Sequence, residues 1–96
     1  MASNLRKTAL YGFAYTEAAL KYLESRSSAK VRRQIKRHIE LLAANPVPPK
    51  CKKLQGATGG ENPIYRVRSG DYRILYSIRG LVIVILDIDH RKDVYR

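Results

Sequence analysis

A chain of 96 residues, 45% hydrophobic and 8% aromatic, can bury one modest core and has no room for a second domain. Nineteen Lys and Arg stand against eight Asp and Glu, a formal charge of +11, which points to a polyanionic partner: nucleic acid, an acidic protein or an anionic membrane surface. The membrane fits least, because no apolar run approaches about 18 residues, no helix pairs its cations with a wide apolar face, and MASNLRKTALYGF lacks a secretory apolar stretch, so a cytoplasmic protein is expected.

Met1 to Lys7 is polar and reads as a mobile arm at the start of a single domain spanning 1–96. Ala9 to Tyr15 alternates, with Tyr11, Phe13 and Tyr15 on one side of a short strand and Leu10, Gly12 and Ala14 on the other. Thr16 stands at an N-cap position and Glu17 suits the positive end of the helix dipole, so a first helix is expected over about Glu17 to Glu24, with Ala19, Leu20 and Leu23 on its apolar face. Ser25-Arg26-Ser27-Ser28 breaks that pattern and caps a second helix from about Ala29 to Ala44. Val31, Ile35, Ile39 and Leu42 form its single apolar stripe, with Lys30, Arg32, Arg33, Lys36 and Arg37 mostly off it. The two helices read as a hairpin packed on a sheet.

Asn45-Pro46 and Pro48-Pro49 end the second helix, since proline removes a helical donor and pushes its predecessor toward extended geometry. Lys50 to Pro63 reads as a linker with a basic patch at Lys50, Lys52 and Lys53. Beyond it, Ile64 to Arg96 reads as three strands and a basic tail. Apolar residues alternate with Arg66 and Arg68, a Ser69-Gly70-Asp71 turn leads into Tyr72 to Ile78, and Arg79-Gly80 turns the chain into Leu81 to Leu86. In that last run both alternating sets are apolar, which suits a central strand covered on two faces, by the helices and by either the N-terminal segment or a bound partner. The fold class is α+β: an N-terminal strand, a two-helix hairpin and a C-terminal antiparallel β-meander. Cys51 is the only cysteine, so it reads as a structural thiol, and with His38 and His90 it makes no recognisable metal-ligand spacing.

Strand alternation puts Arg66 and Arg68 on one face about 7 Å apart, and Arg73 joins them if the hairpin pairs in the simplest register. Three guanidinium forks in that arrangement can grip a phosphate and stabilise charge developing on it during in-line attack. The plainer reading is that these are solvated edge residues. His90, Arg91 and Tyr95 follow the last strand: histidine exchanges protons near neutrality, and tyrosine stacks on a base or bonds to a nucleic-acid backbone. The lysines at 50, 52 and 53 suit an RNA backbone better than Arg33 and Arg37, whose plainer reading is a solvated helix face.

The residues resemble the RelE-like toxins of the RelE/ParE superfamily, the basic members of toxin-antitoxin pairs. The likeness runs from Phe13-Ala14-Tyr15-Thr16-Glu17-Ala18-Ala19-Leu20-Lys21 through Lys53-Leu54-Gln55-Gly56 and Tyr65-Arg66-Val67-Arg68 to two specific blocks, Gly70-Asp71-Tyr72-Arg73-Ile74-Leu75-Tyr76 and His90-Arg91-Lys92-Asp93-Val94-Tyr95. It implies a concave basic surface that cuts messenger RNA in the ribosomal A site without a metal or other cofactor. In that reaction the ribose 2′-hydroxyl attacks the adjacent phosphate and leaves a 2′,3′-cyclic phosphate. By position Arg66 and Arg68 match the family's basic strand pair, Arg73 its phosphate-contacting arginine, Arg91 the arginine after the last strand, and Tyr95 the tyrosine that orients the substrate.

One departure bears on the chemistry. Better-known members carry lysines proposed to transfer protons, whereas arginine, with a pKa above about 12, stabilises charge but does not abstract a proton. His90 is then the residue left for proton exchange, with Glu61 a distant second. The resemblance also implies a cognate antitoxin as protein partner, and the ribosome and messenger RNA as targets. Two other readings share the fold: a ParE-like inhibitor of DNA gyrase that cuts no RNA, and an inactive homologue kept for antitoxin binding.

Overall fold

The computed structural model describes residues 10–59 and 62–90. Their strands form one five-stranded mixed sheet, and two helical segments pack on one of its faces. The first strand, β1, is Gly12–Tyr15, shorter than the alternation from Ala9 suggests, and its Tyr11 amide instead donates to the Ala43 carbonyl at 3.2 Å. Phe13 and Tyr15 turn toward the helices while Gly12 and Ala14 are exposed, as alternation requires.

Thr16 caps the first helix in extended geometry (φ −74°, ψ 166°), its hydroxyl oxygen accepting from the Ala19 amide at 3.2 Å. The same hydroxyl donates to the Leu86 carbonyl at 2.7 Å and ties the helix start to the sheet. This helix, α1, is α-helical only over Glu17–Lys21 and continues as a π-turn through Tyr22–Arg26. Side chains take the carbonyls that an α-helix would use: Ser25 Oγ donates to Lys21 O, Ser27 Oγ to Leu23 O, and Arg32 Nε also to Leu23 O, at 2.7 to 2.9 Å.

Ser28 caps the second helix, α2, which spans Ala29–Leu41. It ends three residues earlier than its composition suggests, because the amides of Leu42 and Ala43 donate to the carbonyls three residues back and tighten the last turn. Val31, Ile35, Ile39 and Leu42 do form the inward stripe; the last three are buried.

The segment read as a linker contains a strand. Lys52–Gly59 is β2, antiparallel to β3 (Asn62–Ser69), with a register irregularity between Lys53 and Thr58. A sheet edge supplies backbone hydrogen bonds whatever the side chains, and lysine suits an edge because its charge blocks further pairing. Two tight hairpins follow, to β4 (Tyr72–Arg79) and β5 (Val82–His90), and β5 runs four residues beyond the apolar stretch. Gly70 (φ +64°) and Gly80 (φ +60°) sit at the first central position of each turn, where the II′ geometry that matches strand twist needs a positive φ.

The strand order is β1-β5-β4-β3-β2, with β1 parallel to β5 and every other neighbour antiparallel. The core lies between this sheet and the helices: Ala19, Leu23, Ile35, Ile39 and Leu42 meet Ile74, Tyr76, Ile83, Ile85 and Ile88. Each fully buried isoleucine or leucine contributes about 1.5–3 kcal/mol relative to exposure. Tyr76 stacks on Tyr65 at 5.6 Å between ring centroids, and its hydroxyl donates to the Pro46 carbonyl at 2.7 Å, fastening the chain that leaves α2. Burial, with the Cys51 thiol beside it, raises the Tyr76 phenol far above its ordinary pKa. No helix among the described residues is long and apolar enough to cross a membrane.

Candidate nucleic-acid interface

The face of the sheet away from the helices holds the charged positions. Register fixes which side chains share it. Arg68 lies directly across from Arg73, and Arg73 directly across from Asp89, so these three form one row over β3, β4 and β5. The next row is Lys52, Arg66, Leu75 and Asp87, running from β2 to β5. Because directly paired residues point the same way, the expectation for Arg66, Arg68 and Arg73 holds: all three belong to one face, and Lys52 joins them.

Their burial differs. Arg73 is 9% exposed and Arg66 half-buried, whereas Arg68 and Lys52 are open to solvent. Arg73 and Asp89 each engage partners within the protein, so the buried guanidinium is held in place at the centre of the row. A guanidinium fixed in this way, beside the exposed cations Arg68 and Lys52, makes this face the strongest concentration of positive charge that the register brings together on the sheet.

His90 belongs to the other face. Its strand partner is Tyr72, and its ring lies edge-on to the Tyr72 ring at 4.8 Å. Tyr72 in turn meets Tyr22 edge-on at 6.4 Å, and Arg26 lies 5.6 Å above the Tyr22 ring. The cause is a bulge: Tyr76 pairs with Ile85 but Leu75 pairs with Asp87, so Leu86 is an extra residue and reverses the alternation for the rest of β5. Arg91, Tyr95 and Glu61 lie outside the described residues.

The remaining basic positions scatter. Lys53 pairs with Tyr65 and so leaves the sheet on the helix side, while Arg33 and Arg37 line a shallow hollow on α2 with Lys30, Gln34 and His38. Lys50 borders a larger groove of about 610 Å³, whose walls include Leu41, Leu42, Pro48, Val67 and Arg68. Of the lysines at 50, 52 and 53, register puts Lys52 on the arginine face and Lys53 on the other, while Lys50 shares its groove with Arg68. Among the described residues no group of three or more His, Cys, Asp or Glu is placed to hold a metal ion.

Sequence reasoning missed the acidic border of this face, Asp87 and Asp89, and a polar cluster of Gln34, His38 and Ser69 beside the β3–β4 turn. The spacing of Gln34 and His38, one helical turn apart beside the apolar stripe, was the available signal for the second.

A family model described as the ParE toxin of the type II toxin-antitoxin system parDE matches residues 14–95. No curated protein matches the chain. Among solved structures, it is similar to the archaeal RelE–RelB complex from Pyrococcus horikoshii OT3, with 31% identity and a TM-score of 0.71 over 85% of this chain and 96% of that one. The toxin-antitoxin complex RelBE2 from Mycobacterium tuberculosis gives 26% identity and a TM-score of 0.73 over 86% and 93%. A mutant of the E. coli toxin RelE in the free state gives 23% and 0.65 over 90% of each chain, a likeness of fold alone.

Proposed function

Because the chain belongs to the ParE toxin family of type II toxin-antitoxin systems, within the RelE/ParE superfamily, we propose that it acts as a ribosome-dependent endoribonuclease whose open sheet face grips the scissile phosphate of messenger RNA. The observation that carries this reading is the row in which Arg68 stands directly across from Arg73, with Arg66 and Lys52 in the next row. Arg73 stabilises the charge that builds on the phosphate as the 2′-hydroxyl attacks; Arg66 and Arg68 hold the flanking non-bridging oxygens. Lys52 steers the backbone, as do Lys50, Lys53, Arg33 and Arg37 from further away.

Arginine cannot serve as the base, so the proton passes through His90 at the end of β5, where the chain continues to Arg91 and Tyr95. His90 starts from the helix side of the sheet, and a role for it requires its ring to turn over the rim. The natural inhibitor is an acidic or amphipathic antitoxin segment; three of the similar solved structures are themselves complexes with an antitoxin. The reaction takes place in the cytoplasm, where ribosomes are.

Mapping transcript 5′ ends after brief induction tests the proposal. Wild-type protein should produce new ends within translated codons, and Arg73→Ala should lower cleavage about 10²–10³-fold, the usual cost of losing one transition-state donor. Full cleavage by a folded Arg73→Ala protein overturns the reading. The family model's description favours a second possibility, a ParE-like gyrase inhibitor, which predicts DNA damage with intact transcripts.

A further inference from the structure

On α2, Gln34 and His38 reach the same hydroxyl. His38 Nδ1 lies 2.6 Å from Ser69 Oγ and 3.2 Å from the Gln34 carbonyl oxygen, and Gln34 Nε2 donates to Ser69 Oγ at 3.4 Å. Ser69, the last residue of β3, is fully buried. Gly70 follows with φ +64°, and a Cβ there would come to 2.8 Å from Gln34 Nε2, so the Gln34 amide lies against the turn where glycine leaves it room.

The phosphate-gripping face uses none of these groups. Arg68 immediately precedes Ser69, Arg73 immediately follows Tyr72, and the two arginines are cross-strand partners directly beside the turn. Like charges in directly opposed positions repel, and a two-residue turn does little by itself to keep the ends of a hairpin from splaying. A buried hydroxyl shared by an imidazole and an amide resists that motion, because pulling the turn away from α2 breaks both bonds at once. His38 makes the short bond of the cluster, and Gln34 the long one.

We propose that His38 is a positioning residue: through Ser69 its imidazole clamps the β3–β4 turn to α2 and so fixes the separation of the Arg68 and Arg73 guanidinium groups. The consequence for turnover rests on the ribonuclease reading above; the clamp itself does not. A misplacement of about 1 Å at a reacting centre can cost about 100-fold in rate, so a loosened turn is expressed in kcat, while the broad positive field leaves KM for message close to unchanged.

Two measurements test this on the full chain. In ribosome-programmed cleavage, His38→Ala and Ser69→Ala should each lower kcat roughly 10- to 100-fold at near-constant KM, and the double variant should be no worse than either alone. His38→Asn, which returns a polar atom to about the position of Nδ1, should recover most of the rate. In NMR spectra of the same proteins, the Nε–Hε signals of Arg68 and Arg73 should shift or broaden in both Ala variants and return in His38→Asn. Full-rate cleavage by folded His38→Ala, additive losses, or no recovery with Asn each overturn the proposal. Should wild-type protein cut no RNA, the ribonuclease reading falls and the arginine signals decide the clamp alone: unmoved signals in both Ala variants overturn it, and moved ones sustain it.

Discussion

The same strands supply both faces of the sheet, yet the two faces are built to different rules. Toward the helices, Ile74, Tyr76, Ile83, Ile85 and Ile88 are shut away from water and interlock with α1 and α2. On the other side, at alternate positions of the same strands, come Arg66, Arg68, Arg73, Asp87 and Asp89, and nearer β1 the exposed Val82 beside Gly12 and Ala14. The contrast separates a sealed apolar layer from a charged, open one within the same strands. Burial on one side holds the backbone rigid, so the other side can hold like charges together that would otherwise drive the strands apart.

The sharpest break in that contrast should come from equal truncations inside and outside the sealed layer. Ile39→Ala, in the sealed layer, is expected to cost about 2–5 kcal/mol in denaturant unfolding, whereas Leu81→Ala, at a 58% exposed turn position, should move stability by less than about 0.5 kcal/mol. Tyr76→Phe comes next, at about 1–3 kcal/mol, because it leaves the Pro46 carbonyl without its donor. It should also change the alkaline response. In the unfolded chain the phenol ionises near its ordinary value of about 10, while in the folded chain burial holds the proton on. The contribution is therefore complete below pH ~10 and is lost as pH rises above it, so the stability of wild type should fall more steeply with pH there than that of Tyr76→Phe. Thr16→Ala should cost about 0.5–2 kcal/mol through the lost cap, seen as a lower melting temperature.

The smallest effect belongs to the open side and leaves folding alone. Lys52→Ala should weaken binding to a single-stranded RNA oligonucleotide uniformly across sequences and flatten the slope of log affinity against log salt by about 0.7. An unchanged slope would remove Lys52 from the RNA path.

Much of the covered face could be read from residues alone. The stripe on α2, the Thr16 and Ser28 caps and the glycines of the two hairpins each follow from local chemistry, and with turns of that length the pairing of Arg68 with Arg73 is determined. Two features could not be read in this way. β2 has the sequence KKLQGATG, with no alternation and two glycines, and is a strand because β3 offers it a backbone ladder. The side taken by His90 depends on one bulge. Counting evenly from Ile83 and Ile85 sends Asp87 and Asp89 inward and His90 outward; the extra residue at Leu86 reverses all three and spares the core two buried carboxylates.

Among the described residues β1 finds its one strand partner in β5, the last of the described strands to be synthesised. During translation the growing chain therefore holds β1 unpaired, and the strand that joins it to β4 arrives last of the described strands. The sheet can therefore close only after β5 has been made, so the row of Arg68, Arg73 and Asp89 is assembled late in synthesis and not strand by strand.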